Sequence, residues 1–249
     1  MQLASFKARP AYALYHFLWS ALDWIYPPTC GGCNLLGVRW CAPCHERTIR
    51  YNGNTGCPRC GYEVLAKGIC PSCLENSPVC TAIRSWGAYS GPLREAVHRM
   101  KYKQDLGLTE LFSSHLHILL VELGWNVNLI TPVPLSRKRL RQRGYNQAAL
   151  LAWPMAEAMK IRFSSKAIER IRDTTSQVSL SAQERLLNVV GAFQANPVIV
   201  KNKDVLVVDD VITTGATIQS CAQALFAAGA NQVFGLSLAR TLRPSDLPR

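Results

Sequence analysis

Apolar positions in this chain keep a helical rhythm near its start and a strand-then-helix rhythm over its later two thirds. Within residues 11–26, Leu14, Phe17, Leu18, Ala21, Leu22 and Ile25 recur at helical spacing, which predicts an amphipathic helix packed on the segment that follows. His16 and Asp23 interrupt this run, which is shorter than the roughly 20 apolar residues of a spanning helix. No small-x-small cleavage site precedes Pro27 and Pro28, so the run reads neither as a membrane span nor as an export signal. From about residue 81 to 240, Val, Ile, Leu and Ala are evenly spread over a length that supports its own core. Strands are predicted near residues 83–89, 129–133, 167–172, 205–209 and 232–239, with a helix around 181–190, giving an α/β fold with a mainly parallel sheet flanked by helices. The division expected is 1–28 for the helix, 29–80 for a cysteine-rich module, 81–241 for the α/β domain and 242–249 for a mobile tail.

The cysteines change this picture most. Eight of the ten fall in four Cys-x-x-Cys pairs, Cys30/Cys33, Cys41/Cys44, Cys57/Cys60 and Cys70/Cys73. Two thiolates three residues apart on a tight turn bind one tetrahedral Zn²⁺, and two such pairs close a Cys₄ site without an open position, so four pairs predict two structural zinc sites. Sequential pairing is favoured over crossed pairing because seven and nine residues separate the pairs within each site, which suits a short ribbon hairpin, against twelve between the sites. Pro58 restricts the Cys57–Cys60 turn and Gly61 supplies a positive φ beside the sulfurs. A disulfide framework and a thioredoxin-like redox pair fit four matched pairs less well. His45 reads as a surface histidine, and Cys80 and Cys221 as ordinary buried thiols.

The formal charge of +12 falls to roughly +8 if two Cys₄ zinc centres form, each contributing about −2. Such a surplus attracts phosphate-bearing ligands, nucleic acid or an anionic membrane without choosing among them. Five of the cations, Arg137, Lys138, Arg139, Arg141 and Arg143, lie within seven residues after the strand near 129–133. They suit a pyrophosphate group and a nucleic-acid backbone equally.

The most informative segment begins with Val205, Leu206, Val207 and Val208, a run fit for a strand buried on both faces. Asp209, Asp210, Val211, Ile212, Thr213, Thr214, Gly215, Ala216 and Thr217 follow, and then a helix with Ile218, Cys221, Ala222, Leu225 and Gly229 on one side. Ligands of open α/β sheets bind beyond the carboxyl ends of the strands. Amides of residues 213–217 at a helix N-terminus suit a phosphate, and Gly215 lets the backbone approach it. Two acids beside a phosphate call for hydroxyl groups or a cation, so the pattern predicts a sugar phosphate with a diol. The Walker B reading lacks its Gly-x-x-x-x-Gly-Lys-Ser/Thr partner loop.

Residues 209–217 resemble the phosphoribosyl pyrophosphate motif of type I phosphoribosyltransferases. With the paired-cysteine module, Tyr89-Ser90-Gly91-Pro92-Leu93, the segment around Lys101-Tyr102, Pro132-Val133-Pro134, Arg143-Gly144-Tyr145-Asn146-Gln147, and Gln177 through Arg185 to Asn188, the chain resembles the ComF/GntX family of competence and DNA-utilisation proteins. The resemblance implies a double zinc ribbon at 29–80 before a type I phosphoribosyltransferase-like domain. It further implies Asp209 and Asp210 on the ribose hydroxyls as catalytic acids, residues 213–217 on the 5′-phosphate, and pyrophosphate near the basic run. Residues 170–177 resemble the loop that closes over substrate in these transferases. The implied setting is the cytoplasm, with phosphoribosyl pyrophosphate and Mg²⁺ as ligands and single-stranded DNA and the DNA-uptake machinery as partners. Two functions stand side by side: a transferase acting on an unidentified acceptor, and a non-catalytic module binding single-stranded DNA, with Trp40, Tyr51, Tyr62 and Trp86 as stacking candidates that serve equally as core, the reading favoured for Trp86.

Overall fold

The structure, a computed structural model, describes residues 27–51, 56–62, 68–172 and 191–242. The amphipathic helix expected at 11–26, the helix around 181–190, the stretch from Gln177 through Arg185 to Asn188 and positions 243–249 of the tail lie outside these residues. In chain order the described elements are α1 (Ala42–Glu46), α2 (Pro71–Glu75), β1 (Ala82–Ala88), α3 (Gly91–Tyr102), α4 (Gly107–Leu123), β2 (Leu129–Pro132), α5 (Arg137–Arg143) and α6 (Gln147–Met159). They continue with β3 (Arg162–Phe163), β4 (Ile168–Arg170), β5 (Phe193–Ala195), α7 (Pro197–Val200), β6 (Asp204–Ile212), α8 (Ala216–Ala227) and β7 (Gln232–Arg240).

Five strands form one parallel sheet in the order β1-β7-β6-β2-β3. The unbroken apolar run of β6 follows from its central place. Leu206 and Val208 point into a core shared with α3, α4 and α6, whereas Val205 and Val207 point into a second core shared with α8 and β4–β5. The expected parallel sheet flanked by helices is therefore what the chain forms. Two details differ. Residues 168–170 do not join the main sheet but pair antiparallel with β5 in a separate two-stranded sheet. The reason is chain order: after α6, Lys160 turns the backbone at φ 57°, and Arg162 and Phe163 take the edge beside β2 before Ile168 is reached. Second, β6 does not end at Asp209; it stays paired with β7 through Ile212, opposite Arg240.

The cysteine-rich module lies along the outer edge of β1. The Ala88 amide donates to the Ile49 carbonyl at 2.8 Å, the Tyr51 amide to that of Trp86 at 3.1 Å, and the Ile83 amide to that of Arg59 at 2.8 Å. A bare strand edge is a template for foreign chains, and these bonds cover it. Side chains complete the seam. Trp40 meets Phe112 of α4 edge-on at 5.2 Å, and Trp86 meets His115 at 4.7 Å. Burial pushes the His115 imidazole below its ordinary pKa, so it stays neutral there. Trp86 is buried in the core, as its core reading expects; Tyr62 is buried and Trp40 is spent in this seam, so the structure corrects the use of these two as stacking platforms for bases.

Gly61 shows why this module tolerates so little substitution at its contact with β1. Its φ is 75°, and a Cβ there would lie 2.5 Å from the Ile83 carbonyl oxygen. Gly37 is equally left-handed at φ 92°, with nothing within 4 Å of its Cβ position. Gly61→Ala is expected to cost about 3 kcal/mol or more in denaturant unfolding, and Gly37→Ala about 1 kcal/mol. Equal losses at the two positions would show that the close approach carries no energetic weight.

Candidate metal centres and ligand cleft

Each half of the module gathers four sulfurs. Cys30, Cys33, Cys41 and Cys44 have their Sγ atoms within 4.8 Å of one another, and so do Cys57, Cys60, Cys70 and Cys73. Sequential pairing of the Cys-x-x-Cys motifs is thus the arrangement found. Cys30 and Cys41 are 3.5 Å apart, and Cys33 to Cys41 and Cys60 to Cys70 are each 3.6 Å apart. A disulfide requires about 2.05 Å, whereas a tetrahedron with 2.3 Å bonds to zinc has edges of about 3.8 Å, so the thiols fit the metal and not a covalent pair. The two halves repeat one device: the Cys41 amide donates to Cys30 Sγ and the Cys70 amide to Cys57 Sγ, both at 3.4 Å. Such bonds favour thiolates and fix the knuckles that present them. His45 takes no place in either cluster, and Cys80 and Cys221 are buried outside them.

At the carboxyl end of the sheet lies a cleft of about 660 Å³, a volume suited to a small ligand. Asp209, Asp210, Val211, Ile212, Thr213, Gly215, Ala216 and Thr217 line it. Thr214 does not; it is exposed, and its Oγ1 accepts from the Ala216 amide at 3.4 Å. Gly215, at φ 82°, forms the N-cap of α8, so the loop turns its amides into the helix start.

The basic run is a helix rather than a loop. Ser136 caps α5 by accepting from the Arg139 amide at 3.3 Å, and Gly144 ends it at φ 79°. Helical spacing therefore divides the five cations. Arg139 and Arg143 line the cleft, while Arg137, Lys138 and Arg141 are exposed and outside its lining. The next residues hold α5 and α6 in place. Arg143 donates to Gln147 Oε1 at 2.9 Å, the Tyr145 hydroxyl donates to the Met100 carbonyl at 2.7 Å, and Asn146 caps α6 while its Nδ2 donates to the Val133 carbonyl at 2.9 Å.

Sequence reasoning gave no role to Lys101. Its Nζ lies 2.9 Å from Asp210 Oδ1 inside the cleft. A signal was available: Lys101 continues the buried stripe of Leu93 and Val97 on α3, where a cation needs a buried partner. Arg170, the first residue of the stretch expected to close over substrate, lines the cleft, and positions 173–177 of that stretch lie outside the described residues. Tyr89, Gln104 and Gln142 complete the polar wall without having been singled out for it, and Tyr102 stands 64% exposed beside them, with the Arg143 guanidinium 5.4 Å from its ring.

The charges of the cleft are interdependent. Burial, reinforced by the neighbouring Asp210 charge, raises Asp209 from 3.8 to about 7, although Lys101, the Asp210 amide and Arg139 pull the other way. Burial alone would lower Lys101, but the Asp210 carboxylate outweighs it and holds the ammonium above its ordinary pKa. The Lys101 ammonium thus stays charged beside Asp210, whereas Asp209 is poised to gain or lose a proton.

Comparison with known proteins places these features. Residues 21–74 match the family model of the double zinc ribbon domain. The chain is 32% identical over 211 residues to the DNA utilization protein YhgH of Escherichia coli K12, covering 81% of this chain and 90% of that protein. It is 30% identical over 194 residues to competence protein F of Haemophilus influenzae, covering 74% and 84%. Against competence protein ComFC of Bacillus subtilis the identity is 27% over 196 residues, covering 76% and 78%. Among solved structures, a glutamine phosphoribosylpyrophosphate amidotransferase from B. subtilis aligns with a TM-score of 0.38 at 21% identity, covering 52% of this chain and 26% of that one. An adenine phosphoribosyltransferase from Thermoanaerobacter pseudethanolicus aligns with a TM-score of 0.35 at 16% identity, covering 55% and 83%.

The raised Asp209 has a consequence for stability. Between 3.8 and about 7 the folded chain holds a proton on this group that the unfolded chain has lost, so stability falls as pH rises through that window. Asp209→Asn removes this term. Thermal scans are expected to show a flatter pH dependence for the variant and a higher midpoint than the wild type above about pH 7. Parallel curves would contradict the burial argument.

Proposed function

Because the chain belongs to the ComF family of competence and DNA-utilisation proteins, we propose that its cleft binds phosphoribosyl pyrophosphate and that the protein serves the use of external DNA. The observation that carries this reading is the meeting, in one cleft, of two strand-end carboxylates, a glycine-capped amide loop entering a helix, and two arginines. In this arrangement the amides of residues 213–217 hold the 5′-phosphate, Asp209 and Asp210 accept from the ribose hydroxyls, and Arg139 and Arg143 face the pyrophosphate. Lys101, 2.9 Å from Asp210 Oδ1, holds that carboxyl group in place.

Asp209 and Asp210 offer the hard oxygen donors that Mg²⁺ takes, and among the described residues the groups able to hold a metal with three or more ligands are the two cysteine clusters. The Asp209 and Asp210 carboxylates would hold the ion, with oxygens of the ligand and of water completing its shell. Held there, Mg²⁺ would supply positive charge to offset that of the departing pyrophosphate. In the transfer we propose, the bond from the anomeric carbon to pyrophosphate breaks as a bond to the acceptor forms, and the acceptor loses its proton. The chain contributes position and fixed charge. Eight thiols ready for metal suit a reducing compartment, and we assign the protein to the cytoplasm; among the described residues no helix is long and apolar enough to cross a membrane.

Calorimetry with phosphoribosyl pyrophosphate and Mg²⁺ tests the reading. The wild type is expected to bind, Arg139→Ala and Arg143→Ala each to weaken binding about 10- to 100-fold, and Arg141→Ala to leave it unchanged. No heat of binding from the zinc-loaded wild type would overturn it.

A second ligand is supported by the outward side of α5. Arg137, Lys138 and Arg141 are exposed there, and Tyr102 at the cleft rim supplies an exposed ring for stacking. We place single-stranded DNA on this surface. Replacing the three cations with Ala is expected to reduce the salt dependence of oligonucleotide binding, log K against log salt, by about 2, at roughly 0.7 per phosphate contact, without changing phosphoribosyl pyrophosphate binding. An unchanged slope would remove α5 as the DNA surface.

A further inference from the structure

The second zinc ribbon touches the sheet at a place whose other contacts lead into the cleft. Within the ribbon, Gly61 donates to the Cys57 carbonyl at 2.8 Å and Cys57 to the Tyr62 carbonyl at 2.7 Å, so Tyr62 is fixed by the same turn that presents the ligand sulfurs. Its side chain leaves the ribbon. The Tyr62 hydroxyl donates to the Thr241 carbonyl at 3.2 Å, and the Arg240 guanidinium lies 4.5 Å from the Tyr62 ring centre. Arg240 also donates from Nη1 to the carbonyl of the zinc ligand Cys60. Arg240 is 2% exposed, so its guanidinium is held within this contact and away from water.

Thr241 continues the path. Its amide donates to the Ile212 carbonyl at 3.0 Å and its Oγ1 to the Thr213 carbonyl at 3.4 Å. Ile212 is the last residue of β6 and Thr213 the first beyond it, where the chain leaves the sheet ladder to form the loop before α8. A loop that grips a phosphate by backbone amides works only if those amides are held in place, because preorganised donors need no rearrangement when the anion arrives. Past Ile212 the ladder with β7 no longer does this, and the Thr241 bonds take over.

We infer that Tyr62 and Arg240 are positioning residues through which the second Cys₄ ribbon fixes the backbone at 212–213 and sets the phosphate loop for its ligand. The ribbon is then part of the binding apparatus, as well as a cover for β1. The inference deepens the proposed phosphoribosyl pyrophosphate site and rests on it for its binding readout.

Tyr62→Phe tests it, since the variant keeps the ring beneath Arg240 and removes only the hydroxyl. Phosphoribosyl pyrophosphate with Mg²⁺ is expected to bind about fivefold more weakly, with zinc content unchanged. Amides of residues 213–217 are expected to exchange hydrogen faster. Thr241→Val, which removes the bond to Thr213 and retains the backbone bond to Ile212, should act in the same direction and serves if Tyr62→Phe folds poorly. Ser77→Ala is the control: it deletes a hydroxyl-to-carbonyl bond of the same ribbon, to Cys73 at 3.0 Å, on no described path to the loop, and should change neither readout. Binding by the wild type that Tyr62→Phe and Thr241→Val weaken no more than Ser77→Ala overturns this inference alone. If the wild type binds nothing, the ligand assignment fails and exchange decides the positioning claim, with unchanged rates at 213–217 overturning it too.

Discussion

Two adjacent carboxylates near the end of a strand covered on both faces, three and two residues before its last residue Ile212, form an arrangement that burial opposes. Asp209 and Asp210 follow four fully buried residues of β6, and charge in such surroundings persists only with a partner. Lys101 supplies it for Asp210, at 2.9 Å, from a helix on the opposite wall. Asp209 has a weaker claim on that ammonium and sits near its neutral form. The apolar face of α3, with Leu93, Val97 and Met100 buried against β6, is what brings Lys101 to this compensation.

The same helix also joins the cleft to the first ribbon. Arg99, two residues before Lys101, donates to the Cys30 carbonyl and to Asn34 Oδ1, each at 2.9 Å, and pairs with Asp105. One ribbon thus braces the element that brings Lys101, and the other touches the strand end that leads into the glycine-capped loop before α8. A small module of about fifty residues has little hydrophobic core of its own, and zinc makes it rigid enough to act as a brace.

Much of this was legible in the sequence because its signals are local. Cys-x-x-Cys spacing fixes a knuckle within a few residues, and the run from Val205 to Val208 can hardly be anything but a strand buried on both sides. What was missed depends on pairing at a distance. Whether residues 168–170 enter the main sheet depends on the earlier arrival of Arg162 and Phe163 beside β2. Lys101 becomes interpretable as a site residue once α3 faces Asp210. The basic run was read correctly as a cluster of charge but not as a helix, and the helical turn is what sends Arg139 and Arg143 inward and Arg137, Lys138 and Arg141 outward. The aromatic residues of the module invited a nucleic-acid reading, but Trp40 is taken up by the seam with α4 and Tyr62 is buried.

The strand order has a consequence in time. β1 is made early, yet its neighbour β7 is the last strand of the sheet to be synthesised, so nascent β1 waits through some 150 residues with its inner side unmatched. Its outer side need not wait. The ribbons precede it on the chain and close through local chelation, so on the ribosome a metal-loaded clasp shields one flank of an otherwise adhesive segment. Cells short of zinc would then lose newly made copies to aggregation before they lost the finished protein.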